Sequence, residues 1–242
     1  MRARDHLHKF MRRFGIEAHK VNPFTVPEWR IPQILNRHGI RTLLDVGANE
    51  GIYAMELLEN GFAGSILSFE PLPDVWEYLK RRASQANAPW KIAPRIALSN
   101  QTGESEFTVA GNKVSSSLLS MLESHILAAP KSNPLGTIRV PTMTLDDFLS
   151  KEAVASPVFL KVDVQGAEML VFEGASKALR ELVVGIQVEM SLVPLYQGQS
   201  LYWEVDNFLR AKGFECCHIS PGFSDPQTLH TLQYDGIYFK SV

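Results

Sequence analysis

The segment Leu43-Leu-Asp-Val-Gly-Ala-Asn-Glu-Gly51 constrains the fold more than any other stretch of this chain. A short β-branched and apolar run, Thr42–Val46, reaches a turn bracketed by Gly47 and Gly51, and a helical pattern follows over Ile52–Leu58. Glycines in such a turn take positive φ and let the backbone approach a ligand closely. A strand that enters a helix through a glycine turn is the opening unit of a parallel sheet covered by helices. Nineteen residues after Gly51, Glu70 closes the next strand, Ser65–Phe69. An acid there can hydrogen-bond both hydroxyls of a ribose, so the pair points to an adenosine-type ligand over the first two strands.

The alternation continues around that unit. A helix is expected from Pro73 to Ala86 and a strand over Trp90–Ile96. Further along, Val158–Val162 reads as a strand ending at Asp163, and helices follow over 167–172 and 176–181. Val183–Val188 reads as a strand ending at Glu189, then come a helix over 201–212 and strands over 214–219 and 234–240. The middle breaks the rhythm. Residues 97–109 alternate around Thr102-Gly103, which suggests a hairpin, and 110–136 has the length and composition of a lid or binding loop. Ile138–Thr142 reads as a strand, and Thr144-Leu-Asp-Asp147 resembles a helix-capping box. The expectation is one α/β domain of about seven strands over 31–242, with an insert at about 97–143 and a basic helix and connector over 1–30.

Charge and composition narrow the classes further. At 45% hydrophobic and 21% charged residues, the chain is not disordered, fibrous or coiled coil. The net charge of −2 argues against a general nucleic-acid binder. Residues 1–20 hold six Lys/Arg and two acids, and Leu7, Phe10, Met11 and Phe14 share one helical face. That face is expected to dock on the body of the domain or on a sister subunit in a homo-oligomer, with 21–30 as a connector. No run approaches the length of a membrane span. The adjacent Cys216 and Cys217 cannot frame a disulfide scaffold, which suits a cytoplasmic protein with reduced thiols.

Details of the turn decide the ligand. A dinucleotide fingerprint needs a second glycine beside the pyrophosphate and a third three residues on. Here the order is Gly47-x-Asn49-x-Gly51 with no third glycine. Asp45 before the turn suits an ammonium group better than phosphates, which points to S-adenosylmethionine.

The blocks D45-V-G-A-N-x-G51, F69-E70-P71, T144-L-D-D147, L160-K-V-D-V-Q-G-A-E168 and Q187-V-E189 resemble the FkbM family of S-adenosylmethionine-dependent methyltransferases, over roughly residues 40–240. Gln165 stands where the commoner family form has Glu. The resemblance implies a Rossmann-like class I methyltransferase fold, a seven-stranded mostly parallel sheet with the last strand inserted antiparallel between its neighbours. It also implies O-methylation of sugars, glycans or secondary metabolites. Carried onto this chain, Asp45, Gly47, Asn49 and Gly51 would line the methionine end of the cofactor, Glu70 would hold the ribose, and Ala97 and Leu98 would flank the adenine.

An alcohol acceptor must lose its proton to a base or be polarised by a metal. Asp163 and Glu189, at the ends of neighbouring strands, are the expected acceptor site, as base and orienting group or as ligands of a divalent cation such as magnesium or calcium. Lys161 either snorkels from its strand end or orients Asp163 through an ion pair, and His230, in the 220–233 loop, is a further candidate base. A non-catalytic cofactor-binding protein of the same fold is the alternative.

Overall fold

The computed structural model describes residues 9–16, 22 and 25–241. Strands β1 (Thr42–Val46) and β7 (Val158–Val162) are buried at every position. Strands with helices on both faces of a parallel sheet require this, and it is why both read as largely apolar runs, interrupted by Asp45 in one and Lys161 in the other. Their neighbours are β2 (Ser65–Phe69), β3 (Trp90–Ile92), β8 (Val183–Ser191), β9 (Phe214–Pro221) and β10 (Gln233–Lys240), in the order β3-β2-β1-β7-β8-β10-β9. From β3 to β8 the pairs are parallel, and β10 runs antiparallel to both β8 and β9. The expected Rossmann-like α/β architecture is therefore present, with the last strand inserted between its two predecessors.

The two sheet faces carry separate cores. Leu44, Val46, Leu160, Val162, Ile186 and Val188 point toward α4 (Leu145–Leu149), α5 (Glu168–Glu173), α6 (Ser176–Glu181) and α7 (Tyr202–Ala211). Leu43, Ile66 and Phe159 point the other way, toward α1 (Pro27–Arg37), α2 (Ile52–Glu59) and α3 (Pro73–Gln85).

Several boundaries differ from the sequence expectation. Helix α1 opens at Pro27 inside the expected connector, because proline is well tolerated in a first helical turn. Its Leu35 is fully buried in the second core, so the 30/31 boundary cuts an element of the domain body. The third strand stops at Ile92, and β8 continues through Glu189 to Ser191, held by pairing with β10. Residues 97–109 form no hairpin. β4 (Ala97–Leu98) and β5 (Gly103–Ala110) both pair with β6 (Pro134–Met143), which lies between them in a separate three-stranded sheet. The alternation was sound, but the partner comes from beyond the 111–133 loop. Of the basic end, Leu7 lies outside the described residues. Phe10 and Phe14 meet edge to face and stay 58% and 67% exposed, so this part of the face is not docked on the body.

Gly51 is where the turn meets the core. Its φ is +75°, and an added Cβ would come within 2.6 Å of both Leu79 and the Trp90 indole. Gly51→Ala is expected to lower unfolding stability by about 2–4 kcal/mol, through backbone strain and overpacking together. The check is a lower urea midpoint with unchanged m-value.

Candidate active site

The strand registers line up two successive rows of residues across β2, β1, β7 and β8. In the row nearer the middle of the sheet, Ser68 pairs with Asp45, Asp45 with Lys161, and Lys161 with Gln187. All four are buried. The Trp90 indole N–H donates to Ser68 Oγ at 2.9 Å, and Ser68 donates to Asp45 Oδ2 at 2.9 Å. Asp45 Oδ1 makes no hydrogen bond and faces the Lys161 ammonium at 3.4 Å. At the far end the Tyr53 hydroxyl donates to Gln187 Oε1 at 2.6 Å. Lys161 also reaches Asp163 Oδ2 at 3.3 Å and donates to the Gly47 carbonyl at 3.2 Å. Burial works against the charge on Lys161, but Asp163 and Asp45 outweigh it and hold the ammonium above the ordinary lysine range. Lys161 therefore stays protonated and is no base. It does not snorkel to water.

Two residues further on, the strands end. Gly47, Glu70 and Asp163 come side by side around a cleft. Asn49, Ala97 and Leu98 also line it, with apolar walls from Val46, Phe69 and Ile96. Asp45 and Gly51 do not. Asp45 sits behind the wall in the buried row, and Gly51 packs on Leu79 and Trp90. Gly47 is needed for the turn itself, since a Cβ there would lie 1.8 Å from the Asp163 carbonyl oxygen.

Glu70 clamps the turn to its own strand end. Oε2 accepts from the Asn49 N–H at 2.9 Å and Oε1 from the Leu72 N–H at 2.8 Å. Asn49 takes φ +47°, a left-handed conformation that Asn tolerates, and caps the Glu50 N–H with its own side chain. Burial pushes Glu70 up to about 7, against the pull of those two amide hydrogens.

At the other side of the cleft, the Gln165 Nε2 donates to Asp163 Oδ1 and to Glu189 Oε2, at 3.0 Å each. The Tyr196 hydroxyl, 3.0 Å from Gln165 Oε1 and 2.9 Å from the Ser115 carbonyl, fixes which way the carboxamide faces. Glu189 Oε2 also accepts from Gln233 at 2.6 Å. Burial, with repulsion from Asp163, Glu168 and Asp235, keeps Glu189 well above its ordinary range. Asp163 keeps a side-chain exposure of 37%, open to the cleft.

A divalent cation between Asp163 and Glu189 would have to displace the Gln165 amide. Among the described residues no group of three or more His, Cys, Asp or Glu is arranged to hold an ion. The donor set does not fit one.

The sequence reading did not single out Gln165 and Tyr196 as site residues; it read 110–136 as a lid or binding loop, and from that insert Lys113, Val114, Ser116 and Leu118 form part of the cleft wall. The insert's length was the available signal. His230 is exposed in its loop and is not among the cleft residues.

The chain matches the family model described as the methyltransferase FkbM domain over residues 45–216, and it belongs to that family of methyltransferases. The hexuronic acid methyltransferase AglP of Haloferax volcanii is 26% identical over 169 residues, covering 64% of this chain and 62% of its own length. The chain thus spans less than two thirds of that relative. Methyltransferase 1 of Beauveria bassiana is 23% identical over 194 residues, 76% of each chain. A solved magnesium protoporphyrin IX methyltransferase (ChlM) from Synechocystis overlaps with a TM-score of 0.48 at 10% identity, over 93% of this chain and 86% of that one. Among the described residues no helix is long and apolar enough to cross a membrane.

Glu168 closes the loop after β7, accepting from the Val164 and Gly166 N–H groups at 3.2 and 3.0 Å, and burial raises it to about 7. Between about pH 4.5 and 7 the folded protein keeps a proton here that the unfolded chain has released. Stability is therefore full below that window and falls as pH rises through it, by about 3 kcal/mol for this group. Glu168→Gln should flatten the loss of unfolding free energy between pH 5 and 8, read from urea titrations at each pH.

Proposed function

We propose that this protein is an S-adenosylmethionine-dependent O-methyltransferase acting on a hydroxyl of a sugar or glycan. The observation that carries the reading is the shared cleft, in which Glu70 and Asp163 face one another's strand ends across the turn at Gly47 and Asn49. An acid suited to a ribose and an acid open to an acceptor then lie in one space. When bound, S-adenosylmethionine supplies an electrophilic methyl group on a sulfonium. Glu70 accepts the ribose hydroxyls with the lone pairs its two amide bonds leave free. Val46, Phe69, Ile96 and Leu98 give the adenine an apolar seat. Ala97 lies beside it on β4. Gly47 and Asn49 shape the methionine end with backbone, while Asp45 and Gly51 act one layer back, by fixing β1 and α2.

Asp163 would take the proton from the acceptor hydroxyl as its oxygen bonds to the methyl carbon, while that carbon's bond to sulfur breaks and S-adenosylhomocysteine leaves. The Asp163 charge is held in place by Lys161 from below and Gln165 from the side. Glu189, held by Gln165 and Gln233 away from the cleft wall, serves as an orienting group and not as the base. Much of the rate in such a displacement comes from holding the two reactants close and in line, which asks of the cleft shape and dryness. A uronic acid is the first acceptor to test, because the Haloferax volcanii relative is described as a hexuronic acid methyltransferase.

Calorimetric titration of S-adenosylmethionine is the first test. Micromolar binding is expected to weaken at least tenfold in Glu70→Ala. Because the ribose-binding form of Glu70 is the ionised one and its value is about 7, wild-type affinity should fall about tenfold from pH 8 to pH 6, and Glu70→Gln should abolish that dependence. No binding by folded wild type would overturn the cofactor assignment. Asp163→Asn should leave cofactor affinity within about threefold and lower turnover on a uronic acid glycoside by about 10²-fold or more. Cofactor binding without S-adenosylhomocysteine release on any sugar acceptor would leave a binding protein.

A further inference from the structure

Gln165 is held where it is at a conformational cost. Its φ is +56°, in the left-handed region that residues other than glycine, Asn and Asp seldom enter. Such strain persists only where the surroundings over-determine it. Here they do: Glu168 ties down the N–H groups on either side of it, and Gly166, at φ +93°, brings the backbone against the Tyr196 ring, where a Cβ would lie 2.9 Å from the ring carbon. Tyr196 is 1% exposed and points its hydroxyl at the Gln165 Oε1. The result is a single amide nitrogen placed 3.0 Å from an oxygen of each of two carboxyl groups. Two carboxylates with a donor between them are the arrangement that otherwise recruits a hard divalent cation.

We infer that Gln165 is a positioning residue which bridges Asp163 and Glu189 in the place of a divalent cation, with Tyr196 setting the direction of its carboxamide. The bridge fixes Asp163 Oδ1 while Lys161 fixes Oδ2, so the proton-accepting carboxylate has one orientation toward the cleft. This last part rests on the reading of Asp163 as the base; the substitution of an amide for a cation does not.

The experiment uses the full chain and manganese as probe. Free Mn²⁺ is followed by electron paramagnetic resonance on titration into wild type, Gln165→Glu, Gln165→Glu/Asp163→Asn and Gln165→Met. Gln165→Glu removes the bridging donor and adds a third carboxylate, and is expected to bind Mn²⁺ at least tenfold more tightly than wild type. Adding Asp163→Asn should abolish the gain. Stoichiometric Mn²⁺ binding by wild type that Gln165→Glu/Asp163→Asn lacks would overturn the inference, as would a folded Gln165→Glu with no gain. Should Gln165→Glu melt early, Tyr196→Phe and Gln165→Met decide. Both should keep S-adenosylhomocysteine affinity within threefold, lower kcat on a uronic acid glycoside at least fivefold, and displace the acidic limb of its pH profile. An unchanged kcat and profile in both would overturn it. Calorimetry of S-adenosylhomocysteine on the same samples tests the cofactor reading separately, so the failure of one is not mistaken for the failure of the other.

Discussion

A single buried ammonium ties together the strand ends on which the site is built. Lys161 lies between Asp45, which has no exposure, and Asp163, which opens to the cleft, and it also donates to the carbonyl of Gly47. Taking these charges from water is expensive, and the mutual attraction repays it only when the remaining groups are well placed. The in-register row of Ser68, Asp45, Lys161 and Gln187 provides that placement, with Trp90 and Tyr53 donating at its two ends. Losing the lysine would leave Asp45 as an uncompensated buried charge, the kind of loss that costs about 3–5 kcal/mol. The turn at Gly47, and through it the Asn49 N–H that meets Glu70, hangs from this same ammonium.

The row also divides labour among the acids around the cleft. Asp163 has a permanent cation behind it and water in front. Glu70 and Glu168 are raised mainly by burial, and each is moderated by backbone N–H groups. Glu189 and Asp235 pair across β8 and β10, and burial and repulsion raise both, Asp235 to about 6. Carboxyl groups whose environments separate their protonation states in this way can take different roles at one pH. Asp163, the exposed member with the cation, is the one open to the cleft, and the buried members hold geometry.

How far the site could be read from sequence follows from which constraints are local. Gly47, Asn49, Gly51 and Glu70 sit in one strand–turn–helix–strand unit, where spacing alone fixes their relation, and all but Gly51 line the cleft. The direction of Asp45 could not be read, because it depends on the register that sets it opposite Lys161, more than a hundred residues away. The glycines were legible for a reason other than the one they first suggest. Gly47 gives room to the Asp163 carbonyl and Gly51 to Leu79 and Trp90, so the spacing records strand and helix packing before it records a ligand. Glu189 looked like a strand end because the apolar run stops at Val188, yet pairing with β10 carries β8 on to Ser191. The hairpin expected around Thr102 failed for a similar reason, since an alternating segment does not say which strand completes it.

The insert is the part of the cleft least determined by the parallel sheet, and it is joined to the chemistry through Tyr196. The loop after β8 is pinned to the insert by backbone bonds from Leu122 to Leu195 and from Gln197 to Ser120, and Gln199 caps the Leu195 and Tyr196 N–H groups. From that support the Tyr196 hydroxyl touches both the Ser115 carbonyl, next to the cleft residue Ser116, and the carboxamide that aligns Asp163. A displacement of the 113–118 wall is therefore felt at the Asp163 carboxylate through one hydroxyl and one amide. Residues of the insert wall and the residue that aligns Asp163 belong to one hydrogen-bonded unit, so remodelling that wall without disturbing Asp163 would have to preserve the Tyr196–Gln165 contact.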